Sequence, residues 1–165
     1  MVEMKVYGLA LDEESQVPVL VLKDKDDKTV LPIWIGAMEA MAISLAINDV
    51  KLPRPMTHDL LLTIIGGLGG KVLAVNVISL REGTYYAEVH IEHEGKLKRI
   101  DCRPSDGIAL ALRADVPISV DENVIIQAES DRRTADGKPE LQNDDARQWN
   151  DLLEQFNVDD IKYKM

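Results

Sequence analysis

The chain has 165 residues, 45% of them hydrophobic and only 4% aromatic, with a formal charge of −10. That size supports one domain with a core of aliphatic side chains and methionine, and no apolar run is long enough to span a membrane. Residues 121–165 hold 12 acidic and 6 basic residues, so the excess charge sits mostly in the tail, and a broad cationic face for gripping polyanions is excluded.

The N-terminus has no basic segment ahead of an apolar one and is not a secretory signal. With a single cysteine, Cys102, no internal disulfide can form, and a reducing cytoplasm is the expected location. Three strands open the chain: "MKVYGLAL" (4–11), "VPVLVLKD" (17–24) and "TVLPIWIG" (29–36). Pro32 marks the third as an edge strand or a strand end. From Ala37 to about Val50 the period becomes helical, with Met38, Met41, Ala42, Leu45 and Ala46 on one face and Gly36 as N-cap.

In "KLPRPMTHDLL" two prolines forbid a continuous helix, and Thr57 is expected to cap a short one over 58–65. The following "GGLGG" lies between helix and strand, the reverse of a phosphate-binding loop, and reads as a helix C-cap and tight turn. A hairpin of "KVLAVNVISL" (71–80) and "TYYAEVHIEH" (84–93) precedes a strand, "KLKRIDC" (96–102). Tyr85 and Tyr86 fall on opposite faces, one packing in the core and one outside, and Cys102 reads as a small buried residue. A second alanine-rich helix runs from Pro104 to Ala114, and "VPISV" is a last extended piece.

Shifted by 67 positions, "LPIWIGAMEAMAISLA" lies over "KRIDCRPSDGIALALR", so Glu39 meets Asp106. The expected fold is α+β: an internal duplication of a β-β-β-α unit, with helices packed on a curved or barrel-like, mostly antiparallel sheet. A site between the copies would bring Glu39 and Asp106 together. The main domain is expected over 1–130, with 131–165 an acidic linker and a C-terminal helix. "ESDRRTADGKPELQNDD" is too polar to fold alone. "DDARQWNDLLEQF" carries an apolar stripe of Ala146, Trp149, Leu152, Leu153 and Phe156.

Local chemistry leaves two readings open for each polar motif. In "RPSD", Pro104 can open the helix and Asp106 can cap it, while Arg103 beside a helix N-terminus and a hydroxyl also makes an anion site. Glu39 and Asp59 have the same capping explanation. His58 is not needed for capping and could serve as a metal ligand or general base. No CxxC pair, HExxH, GxSxG or P-loop is present.

Taken together, "LPIWIGAMEAMAI", "RPMTHDLL", "GTYYAEV" and "IDCRPSDGIALALR" resemble the bifunctional nuclease domain family. The resemblance covers roughly 1–130 and implies activity on DNA and RNA. Carried over by residue, it marks Glu39, His58, Asp59, Asp101 and Asp106 as catalytic and Arg54, Thr57, Arg103 and Ser105 as substrate-binding. Mg²⁺ or Mn²⁺ is the expected cofactor, held by Glu39 and Asp106. Gly107 stands where the family usually has alanine, a change expected to affect helix stability and not chemistry. The C-terminal helical hairpin found in some relatives has no counterpart in this tail. The expected partner is short or single-stranded nucleic acid, which an acidic surface repels least, and the chain is expected to be a homo-oligomer without membrane association. The alternative is a non-enzymatic, oligomeric ligand- or protein-binding module with an anion pocket. Hydrolysis of a smaller phosphoester is a third reading.

Overall fold

Two runs of β-branched and aliphatic residues, each folded into a three-stranded meander, build most of the sheet. A computed structural model describes residues 1–13 and 15–134. The first meander is β1 (Val2–Leu11), β2 (Pro18–Asp24) and β3 (Val30–Trp34), and it is followed by helix α1 (Ala37–Ile47). After α2 (Thr57–Gly67), the second meander is β4 (Gly70–Arg81), β5 (Thr84–His93) and β6 (Lys96–Cys102), followed by α3 (Pro104–Ala114). A three-residue strand, β7 (Ile118–Val120), and helix α4 (Glu122–Thr134) complete the described chain.

All seven strands form one sheet in the order β3-β2-β1-β7-β4-β5-β6. The short β7 is the seam. It runs antiparallel to β1, with Met4 opposite Ile118, and parallel to β4, with Val75 opposite Ile118. The fold is therefore α+β and mostly antiparallel, but the barrel-like alternative does not hold. The sheet is open, with β3 and β6 as its two edges. Pro32 sits on edge strand β3, where its missing N–H leaves no gap in a ladder.

Both α1 and α2 pack on α3. Beneath them Val75, Val77, Ala87 and Val89 are buried, together with Ile108, Ala109, Leu110 and Ala111 of α3. The buried side of α1 is Ala40, Ala42, Ile43 and Ser44, so the stripe expected from the sequence is displaced around the helix and Met38 is 71% exposed. Thr57 is not the cap of α2 but its first residue; the N-cap is Met56, whose amide donates to Asp59 Oδ2 at 2.9 Å. Gly66 and Gly67 extend α2, and Gly69 makes the turn with φ of 77°. Arg103 and Gly36 are the N-caps of α3 and α1, and Pro104 opens α3 as expected. Tyr85 packs against the core, whereas Tyr86 is exposed with the Arg81 guanidinium 5.2 Å from its ring.

One further correction concerns the C-terminal part. Residues 122–128, to which the sequence reading gave no element, and 129–134, read as too polar to fold, form α4, which packs along β4 through buried Val124 and Ala128. The stripe from Ala146 to Phe156 lies outside the described residues. Gly107 also has a packing role. A Cβ there would meet Val75 Cγ1 at 2.8 Å and Cys102 Sγ at 3.0 Å, so the close approach of α3 to the sheet needs glycine. Alanine gains about 1 kcal/mol of helix propensity, but overpacking a closed core costs about 1–3 kcal/mol. Gly107→Ala is expected to lower Tm by a few degrees, roughly 2–6 °C, in calorimetry; a raised Tm would show that Val75 yields freely.

Candidate active site

The N-terminal ends of α1, α2 and α3 meet, and each delivers one side chain to a common cluster. Glu39 and Asp106 are both the third residue of their helices, where a carboxylate is favoured by free amides and the helix dipole. Both bind Arg103. Its Nη1 donates to Glu39 Oε1 at 2.8 Å, its Nε to Asp106 Oδ2 at 2.7 Å and its Nη2 to Asp106 Oδ1 at 3.2 Å. From α2, His58 Nε2 lies 3.2 Å from Asp106 Oδ1. The carboxylates matched by the 67-residue shift thus converge on one guanidinium. Any side chain at Gly36 would collide with the Glu39 carboxylate, so the glycine leaves it room.

Arg103 is 65% exposed, while Glu39, His58 and Asp106 are largely covered. The cluster therefore presents a cation to solvent over two acids. Burial pushes the Asp106 carboxyl up, but the Arg103 and His58 hydrogen bonds and the Arg103 charge outweigh it and hold it below its ordinary value. Asp106 in turn pushes Arg103 further up.

Asp59 belongs to a second arrangement. Its Oδ1 accepts from Arg113 Nε at 2.7 Å and its Oδ2 from the Met56 amide, so both oxygens are engaged. Burial again opposes ionisation, and the Met56 amide and Arg113 together win, lowering its pKa. Carboxylates held low in the folded state contribute stability that is complete above the unfolded value, about 4, and lost as pH falls through the folded one. Asp106→Asn is therefore expected to lose less stability than the parent between about pH 5 and pH 3 in urea titrations; parallel curves would count against the ion pair.

The other candidates lie apart. Asp101 is exposed on β6, opposite Glu88 of β5, and Ser105 is buried under the start of α3. Arg54 and Thr57 are exposed, and no hydrogen bond or ion pair joins either to the cluster among the described residues. Burial pushes the Cys102 thiol up to about 11, so it is not a nucleophile near neutrality. No three His, Cys, Asp or Glu side chains group closely enough to hold a metal among the described residues.

Arg113 was not singled out in the sequence. It is 10% exposed and also donates to Ala109 O at 2.8 Å and Ala42 O at 3.1 Å, tying α3 to α1 and α2. The available signal was a lone arginine in "IALALRA", seven residues after Asp106 and hence on the same helical side. A separate polar group on β4 and β5 also went unread: His90 lies 3.2 Å from Glu88 Oε2 and 3.3 Å from Asn76 Nδ2.

Comparison with known proteins finds relatives of the whole chain and of its main domain. An uncharacterized protein of Mycobacterium tuberculosis (strain ATCC 25618 / H37Rv) is 36% identical over 163 residues, covering 97% of this chain and 98% of that one. Bifunctional nuclease 2 of Oryza sativa subsp. japonica is 31% identical over 117 residues, 68% of this chain and 36% of its own length. Bifunctional nuclease 1 of Arabidopsis thaliana is 28% identical over 119 residues, 70% of this chain and 37% of its own. The sequence profile of the bifunctional nuclease domain matches residues 20–133, a span that includes all four cluster residues, and the chain belongs to that family.

Proposed function

We propose that this chain is a nuclease that hydrolyses phosphodiester bonds of short or single-stranded DNA and RNA. The observation that carries the reading is the convergence of Glu39, His58, Arg103 and Asp106 from three helix ends. Arg103, swinging from its carboxylates, binds the scissile phosphate, and exposed Arg54 and Thr57 offer further contacts along the strand. His58, oriented by Asp106, takes the proton of the attacking water as its oxygen bonds to phosphorus, and the leaving oxygen departs and takes a proton from solvent. Mg²⁺ or Mn²⁺ would be held by Glu39 and Asp106 and would supply charge stabilisation at the phosphate. Two carboxylates vacated by one guanidinium suit a hard cation that keeps most of its water. The acidic net charge restricts the substrate to short or flexible strands. The reaction takes place in a reducing cytoplasm, where Cys102 stays a thiol, and the two β-β-β-α units are copies whose pseudo-equivalent acids share one site.

A second reading, an oligomeric binding module without catalysis, is favoured by one observation: α2 has no fully buried residue and exposes Leu60, Leu61, Ile64 and Leu68. Its anion pocket would use the same Arg103, released from Glu39 and Asp106 by the ligand, so the pocket does not separate the two readings. Incubating purified protein with single-stranded DNA and RNA in Mg²⁺, Mn²⁺ or EDTA, beside Asp106→Ala, separates the readings. Metal-dependent cleavage lost in the variant is expected. No cleavage by the parent in any condition would leave the binding module in first place.

A further inference from the structure

We infer that β6 is a self-complementary edge through which two copies of this chain join their sheets antiparallel, centred on Ile100. The inference deepens the homo-oligomeric part of the reading above and does not require nuclease activity. β6 ends the sheet, and every residue of it but Cys102 is exposed. A seven-residue edge whose outward N–H and C=O groups pair with no other strand among the described residues is a template for another strand. Ile100, 50% exposed, stands on the same side of the sheet as Cys102 and the helices, while Arg99 and Asp101 stand on the other.

Charge selects the register. When the partner is a copy and the two-fold axis is normal to the sheet, some residue must face itself, and its neighbours then face each other crosswise. Centring on Arg99 or Lys98 sets like charges against each other. Centring on Asp101 opposes two aspartates and also places Arg99 against Arg103, and centring on Leu97 places Lys96 against Lys98. Centring on Ile100 stacks the apolar side chain on its copy, places Lys98 opposite Cys102 and forms two Arg99–Asp101 pairs between copies. Opposite charges directly across a ladder stabilise it and like charges weaken it.

Within one chain these two side chains are poorly served. Asp101 is the cross-strand partner of Glu88, a like charge, and Arg99 is that of His90. Neither makes a side-chain hydrogen bond or ion pair among the described residues. An Arg99 from the second copy beside Asp101 relieves the Glu88 repulsion. Lys96 and Lys98 meanwhile deter other strands, as lysines on free edges do. Two short strands bury less than the roughly 1,200–2,000 Å² of a stable interface. The exposed stripe of α2 lies on the same side of the sheet as Ile100, and the C-terminal end of α2 is held at the β5 end by His93 Nε2 at 3.1 Å from Leu68 O. Apolar area beyond the strands would have to come from this stripe, and Ile64→Asp below tests it.

The test is the mass of the full chain by sedimentation equilibrium, with circular dichroism to verify folding. The parent should run at twice 18.4 kDa. Arg99→Asp and Asp101→Arg should each weaken association roughly tenfold or more, because every crosswise pair becomes a like-charge pair. The double variant carrying both changes restores the pairs in reverse and should recover the dimer. A monomeric parent overturns the proposal. So does a dimer that survives both single changes, or a folded double variant that stays monomeric. A dimer broken by Ile64→Asp but indifferent to both charge reversals would place the interface on α2 and away from β6.

Discussion

Asp106→Ala should lower the rate of metal-dependent cleavage of single-stranded DNA and RNA by about 10²–10³-fold, the range typical of losing an oriented general base or a charge-stabilising group. The side chain makes three of the cluster's four hydrogen bonds, two from Arg103 and one from His58. Without it His58 loses its orienting partner, Arg103 keeps only Glu39, and the proposed cation would lose one of its two carboxylates. The fold should survive. An acidic residue in the first turn of a helix is worth about 0.3–1 kcal/mol, against a domain stability of about 5–15 kcal/mol. Single-turnover rates of the parent and the variant, with unfolding curves for both, measure the two effects separately. A variant that is folded and cleaves at the parental rate would remove Asp106 from the chemistry.

Arg113→Ala carries the largest expected effect on stability, a loss of about 1–3 kcal/mol, because it removes three hydrogen bonds made by one nearly buried guanidinium and opens space beside α1. One guanidinium here serves three helices: Asp59 at the start of α2, Ala42 O on α1 and Ala109 O in its own α3. Since α2 buries no residue completely, this tie does much of the work of holding it. Arg113→Lys keeps the charge but not the planar fork, and should recover less than half of the loss. Urea unfolding gives the magnitude, and amide exchange in α2 gives its location. A change below about 1 kcal/mol would mean that apolar packing alone seats α2. Because His58 adjoins Asp59, the same variant should also reduce cleavage, through position and not through contact with substrate.

Strands and helices were legible in the chain wherever side-chain period and punctuation agreed. Alternating β-branched residues, the "REG" turn and Pro104 at the head of an alanine-rich segment all gave local instructions that the fold obeys. The reading failed where local signals were weak or shared. The α4 segment "ENVIIQAES" puts only Val124 and Ala128 into the core, too few to stand out against its polar residues. In α1, methionine and alanine occupy several faces, so period alone chose Met38 while packing chose Ala40 and Ile43. Openness of the sheet depends on how strands twist and where β7 inserts, which alternation within a strand does not encode.

For the site, the sequence by itself determined which groups stand at which helix starts: Glu39, His58 and Asp106 in first turns, with Arg103 as a cap. Their types follow from the chemistry of free amides and helix dipoles, which acts over a few residues. Their meeting did not follow from that chemistry. The packing of α1 and α2 on α3 decided that Glu39, Arg103, Asp106 and His58 share one surface, that Asp59 turns away to Arg113, and that Asp101 and Ser105 stand apart. Hydrogen bonds between residues 48 to 71 positions apart depend on helix placement, and placement is set by buried area summed over the whole core, a quantity no local stretch of sequence carries.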